Sequence, residues 1–162
     1  MPQLPEALYK EFFASSPVGF GISDADGVLL DFNDAMRAYG GWGREEVLAI
    51  GNVTELYYDG PAERERLLGI ARAKGKIVRE EVRFKSRDGG FYWAAMSLRH
   101  VTIEGKTYWL AVVEDITAAK KAHAERERQM RELEDMAKLM AGRESKMIEL
   151  KEKIRKLEEG AP

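Results

Sequence analysis

Between residues 108 and 121, YWLAVVEDITAAKK, a strand pattern gives way to a helical one within three residues, and this junction limits what the chain can build. Trp109, Ala111 and Val113 recur at a spacing of two, which places them on one face of a strand. Beyond them apolar residues return every three or four positions almost to the C-terminus, the period of one long helix. Asp115 and Thr117 stand at the turnover with Ile116 between them. Either polar side chain can accept hydrogen bonds from the N–H groups that a first helical turn leaves unpaired. A strand that walls a domain is thereby tied directly to a lever.

A chain of 162 residues, 44% hydrophobic and 33% charged, has room for one compact domain and one extended element rather than two full domains. Its 26 basic and 28 acidic residues give a formal net charge of −2, which offers no basic footprint to nucleic acid or an anionic membrane. The absence of cysteine removes disulfides, thiolate metal sites and thiol chemistry, and agrees with a reducing compartment. No apolar run approaches the roughly 20 residues that span a bilayer. The opening MPQLPEALYKEFF also lacks the basic start and apolar centre of a signal peptide, so the expected address is the cytoplasm.

Along the chain, residues 5–14 read as a short amphipathic helix with Leu8, Phe12 and Phe13 close together on one face. Two apolar runs, 19–23 and 28–32, flank Asp24-Ala25-Asp26-Gly27 and predict a hairpin. From 33 to 50 the helical pattern is broken by Gly40, Gly41 and Gly43, which predicts two brief helices; a further turn is expected near 53–58. Tyr57 and Tyr58 are as consistent with surface positions as with a pocket. Pro61 then opens a helix to about Lys74. Three strands follow: 78–86, with Val82 and Phe84 on one face and Arg79, Glu81, Arg83 and Lys85 on the other, then 91–101 and 107–114.

In the tail, Leu133, Met136, Met140, Arg143, Met147, Leu150, Ile154 and Leu157 alternate at spacings of three and four, the seam of a coiled coil. A helix over residues 118–159 has no core of its own to bury that seam, so a second copy is the expected partner. Pairs such as Glu127 with Arg131, Glu134 with Lys138, Glu149 with Lys153 and Glu152 with Lys156 support its exposed face. The flanking charges do not settle orientation: in a parallel pair Lys146 would oppose Lys151 unfavourably, and Lys153 would meet Glu158 favourably. Gly142 and Arg143 interrupt the pattern and mark an expected weak point, either a hinge in a continuous helix or a break.

Several separated stretches resemble a PAS domain with its PAC segment, over about residues 6–121. In DFNDAMRAYGGWGREEVLAIG the similar positions are Asn33, Ala35, Trp42, Glu45, Glu46, Leu48 and Gly51. In RFKSRDGGFYWAAMSL they are Asp88, Gly89 and Trp93, and residues 114–117, EDIT, are similar to the end of the family's last strand. The resemblance implies an α+β fold: a five-stranded antiparallel sheet with short helices packed over one face to enclose a pocket. The expected organisation is an N-terminal helix (1–14), a PAS domain (15–117) and a connector helix forming a coiled coil (118–159). The implied use is as a non-enzymatic sensory or dimerisation module, passing its state through Asp115, Ile116 and Thr117 to an output protein or domain. The alternative is a ligand-free interaction module that only brings partners together.

By strand parity and the family's geometry, the pocket wall is expected to comprise Val82, Phe84, Tyr92, Ala94, Met96, Leu98, Trp109, Ala111 and Val113, with Met36, Tyr39, Leu56 and Leu67 from facing helices. Two readings remain open. One is a cavity for a small apolar or aromatic molecule, fixed by a hydroxyl such as Tyr39 or Tyr92; the other is a core in which these side chains meet and fill the space. Light-sensing flavin members of the family need a reactive cysteine, which is absent here. Haem-binding members supply a histidine from the helix that corresponds to 61–74, which has none; His100 and His123 lie elsewhere, and no metal site is expected. For flavin without the cysteine, the inner faces offer few amides or hydroxyls. No nucleophile and base can be matched. Asp24 with Asp26 reads as turn chemistry, Glu80 and Glu81 point oppositely along a strand, and the glycines near Gly41 lack a phosphate loop's Lys-Ser or Lys-Thr.

Overall fold

A computed structural model describes residues 5–160; the first four residues of the expected N-terminal segment lie outside it. Helix α1 (Glu6–Ser15) precedes a hairpin of β1 (Gly19–Asp24) and β2 (Leu29–Phe32). Then come α2 (Asp34–Tyr39), α3 (Arg44–Ile50), a 3₁₀ turn (Val53–Leu56) and α4 (Pro61–Lys74). A meander of β3 (Ile77–Lys85), β4 (Phe91–Ile103) and β5 (Lys106–Asp115) leads into α5 (Thr117–Glu159). The strands form one antiparallel five-stranded sheet in the order β2-β1-β5-β4-β3. The chain divides into two units, Met1–Ala118 and Ala119–Pro162.

Local chemistry accounts for the element ends. Asp24 accepts from the Asp26 and Val28 N–H groups, and Gly27 adopts the positive φ of 89° that closes the first hairpin. Asn33, only 2% exposed, caps α2 by accepting from the Met36 N–H at 3.1 Å and accepts from the Phe20 N–H at 2.9 Å. Its amide donates to the carbonyls of Phe13 and Val18, so one buried side chain joins the end of α1, the start of β1 and the entry to α2. Pro61 opens α4, and Gly75 closes it in the left-handed conformation.

The core lies between the sheet and the helices α2 to α4. Phe32, Leu67, Ile77, Val82, Met96 and Val113 are its most deeply buried side chains, each worth about 1.5–3 kcal/mol of transfer from water. Helix α1 buries no residue: Leu8 and Phe12 are exposed, and Phe13 stacks on Phe20 at 5.9 Å.

One expectation is corrected. Strand β3 does not alternate from its start, because a register shift between Ile77 and Glu80 places an extra residue there and Arg79 sits at φ 52°. The bulge flips the parity, so Ile77 is buried and Val78 is exposed. Arg79 is held in place by its N–H donating to Ser97 Oγ and its guanidinium donating to both oxygens of Glu114. The open choice at the two tyrosines is also resolved, in opposite senses: Tyr57 is 6% exposed and packs on Phe84 at 5.2 Å, whereas Tyr58 is exposed.

Helix α5 runs unbroken through Gly142 and Arg143, which removes the reading of a break there. The acid–base support is redistributed: Glu149 meets Lys153 as expected, but Lys138 pairs with Asp135 and Arg128 with Glu125. Every apolar member of the expected seam is exposed, from 50% at Leu150 to 75% at Leu157.

Candidate functional site

Between the sheet and α4 lies a cavity of ≈ 40 Å³, room for about three water molecules. Strand β5 supplies Trp109, Ala111 and Val113 to its wall, the row read from the spacing of two, and β4 adds Met96 and Leu98. Phe84, Met36, Leu56 and Leu67 close it from β3, α2, the 3₁₀ turn and α4. Met36 comes close to β1 because a glycine faces it: a Cβ at Gly21 would stand 2.7 Å from the Met36 sulfur.

Tyr39 and Tyr92 do not line this space. Tyr39 donates its hydroxyl to the Pro17 carbonyl at 2.9 Å, and Tyr92 lines a smaller void with Phe32, Trp42 and Val47. The two rings meet edge to face at 6.2 Å, and burial pushes both phenol pKa values up. Polar lining comes instead from Tyr57, left open between pocket and surface, and from Ser23 and Arg64, neither of which was expected there. Ser23 has the same parity as Gly21 on β1, and Arg64 precedes Leu67 by three on α4, so strand and helix periods could have located both. Tyr57 was hidden because an isolated bridge to Phe84 turns it inward. Burial raises its phenol pKa to about 12, and the nearby Arg64 charge opposes that rise.

The large cofactors of this fold do not fit these residues. The lining holds no histidine, cysteine, asparagine or glutamine, and its volume lies well below the roughly 300–1,000 Å³ of clefts for larger ligands. Among the described residues no cluster of histidine, aspartate and glutamate could hold a metal ion. His100 lies outside the lining with its ring against Trp109 at 5.5 Å, and His123 approaches Glu127 on α5.

At the end of β5 the chain is pinned twice to β4. The Ile116 N–H donates to the Trp93 carbonyl at 2.9 Å, and the Trp93 N–H donates to Thr117 Oγ1 at 2.9 Å. Asp115 accepts from the Thr117 N–H at 2.8 Å, relieving one unpaired donor of the helix start. Thr117 therefore extends the strand ladder rather than capping the helix. On the opposite sheet face from the cavity, Arg83 is clamped by Asp59 and lies over the rings of Tyr58, Phe91 and Trp93.

The fold, with a small apolar cavity behind the last strand, defines a sensory-domain architecture, and the chain belongs to the PAS domain family, whose model matches residues 17–118. It is similar to the oxygen sensor protein DosP of Escherichia coli strain K12, at 33% identity over 117 residues. That match takes in 67% of this chain and 14% of the relative's length, so the chain spans a small part of the curated protein it resembles. Among solved structures, the PAS domain of an HTR-like protein from Haloarcula marismortui is 27% identical with a TM-score of 0.54, covering 68% of this chain and 90% of that one. A PAS domain from Colwellia psychrerythraea superposes with a TM-score of 0.59 at 22% identity, covering 69% and 97% respectively. Among the described residues no helix is long and apolar enough to cross a membrane.

Proposed function

We propose that the chain is a non-enzymatic, cytoplasmic sensory module in which occupancy of the cavity is passed to an output partner through α5, paired with a second copy. The observation that carries this reading is that β5 serves both ends of the path. Its inner row, Trp109, Ala111 and Val113, walls the cavity, and its last residues form the hydrogen-bonded junction at Asp115, Ile116 and Thr117. A ligand that changes how β5 packs changes the geometry handed to α5. Pairing is supported by the exposed seam from Leu133 to Leu157, whose alternate spacing suits a second copy. The likeness to an oxygen sensor protein favours sensing, but oxygen held on a haem iron is not a reading that this lining supports.

The cavity's small size favours a second reading, a ligand-free module that only pairs and scaffolds a partner. One experiment separates them. The chain has no cysteine, so Ser145→Cys gives a single site for a spin label on α5. Filling the cavity with Ala111→Leu should shift the label-to-label distance distribution of the dimer measured by pulsed electron resonance. An unchanged distribution would favour the scaffold, and a monomer in sedimentation equilibrium at tens of micromolar would remove the paired lever altogether.

A further inference from the structure

Among the cationic residues of α4 and β3, Arg66, Arg72, Arg79, Arg83 and Lys85 have acidic partners, and Lys74 is exposed at the end of α4. Arg66 grips Glu63 through two nitrogens, at 3.0 and 2.7 Å, and reaches Glu80 at 3.2 Å. Arg72 meets Glu65, and Arg83 meets Asp59. Arg64 differs: among the described residues it makes no ion pair and no side-chain hydrogen bond, and the acid next to it, Glu63, is taken by Arg66. Its guanidinium rests against the first hairpin turn, where a Cβ built on Gly27 would run into it, and it lines the cavity.

The hydroxyls of Ser23 and Tyr57 share the cavity. Ser23 is 7% exposed and its hydroxyl has no partner among the described residues; Tyr57 is 6% exposed and meets only the Met96 sulfur, at 3.9 Å. A half-buried cation without a counter-charge costs free energy unless something answers it, and the Ser23 and Tyr57 hydroxyls add hydrogen-bonding capacity to the same lining. The rest of the lining is apolar, with the adaptable side chains Met36 and Met96 able to repack around a guest.

We propose that the cavity binds a small monocarboxylate, its carboxylate on the Arg64 guanidinium and the hydroxyls of Ser23 and Tyr57, its short alkyl tail among Met36, Met96 and Trp109. The proposal rests on reading the cavity as the sensor's ligand site. A guanidinium fork matches a carboxylate in two parallel hydrogen bonds, whereas a phosphate dianion would ask for more donors than this lining offers.

Titration calorimetry of the whole chain with butyrate and with 1-butanol, which share a tail and differ in the charged head, tests it. Butyrate is expected to bind about tenfold or more tightly than butanol, the gain of a charge-assisted pair. Arg64→Met should abolish that preference while leaving butanol within about twofold, and Arg64→Lys should restore part of it, with circular dichroism checking that each variant is folded. Equal affinity in the wild type, or a preference that survives Arg64→Met, would overturn the carboxylate assignment while sparing the ligand site. Binding of neither compound would overturn both.

Discussion

Leu67 on α4 and Leu133 on α5 are the same side chain on the same kind of element, yet one is 1% exposed and the other 65%. Helix α4 lies over a sheet whose inner row receives its leucine. Helix α5 buries none of its 43 residues, and its stripe of leucine, methionine and isoleucine is exposed. Its own ion pairs contribute only about 0.2–0.5 kcal/mol each, small beside the apolar surface left in water. The first unit is thus closed by its own side chains, whereas the second presents an exposed apolar stripe, the one that the proposed pairing would cover. Perturbations should accordingly be felt as lost core contacts in one and as shifts in helicity or association in the other.

The sharpest contrast is between two side-chain amides. Asn33→Ala leaves the N–H groups of Phe20 and Met36 and the carbonyls of Phe13 and Val18 without their shared partner, and should cost about 3 kcal/mol in urea unfolding. Gln129→Ala on α5 removes one exposed hydrogen bond, to Glu125 at 2.9 Å, and should cost less than about 0.5 kcal/mol. Equal costs would erase the distinction between the units. A second asymmetry is set by pH. Because the folded state raises the Tyr57 pKa from 10.0 to about 12, it holds the phenol proton where the unfolded chain has lost it. The stability that this provides is complete below pH 10 and disappears as pH rises towards 12, about 3 kcal/mol in all. Tyr57→Phe should flatten that part of the alkaline limb, measured by denaturation at several pH values; an identical limb would mean that the phenol is not sealed in the core.

How much of this could be read from residues alone depended on whether local rules or long-range contacts decided the outcome. The period change at Asp115 and the parity of Trp109, Ala111 and Val113 are local, and both appear in the fold. Ile77 escaped because the bulge at Arg79 depends on partners, Ser97 and Glu114, that lie on other strands. Tyr39 was expected at the pocket from the family's geometry, but its hydroxyl goes to Pro17, a contact set by how α2 sits on β1. Arg64 was overlooked for a different reason: charge on a helix normally means a solvated face, and only its neighbours' pairing shows that this one is left over.

A gain rather than a loss sharpens the comparison at the helix itself. Gly142 has open space around it and no contact for a Cβ to disturb, so Gly142→Ala changes helix propensity and nothing else. In the expected seam it stands beside Arg143 rather than in the contact row, so pairing does not alter that conclusion. The gain is about 1 kcal/mol, the cost of glycine relative to alanine inside a helix. Amide hydrogen exchange should therefore slow about fivefold at residues 138–146, while exchange in β4 stays as it was. Unchanged exchange around position 142 would mean that the glycine is not a soft point and that helix opening is limited elsewhere along α5. A parallel slowing in β4 would show instead that the two units open together, and that the closed domain and the unfinished helix are not separate in stability.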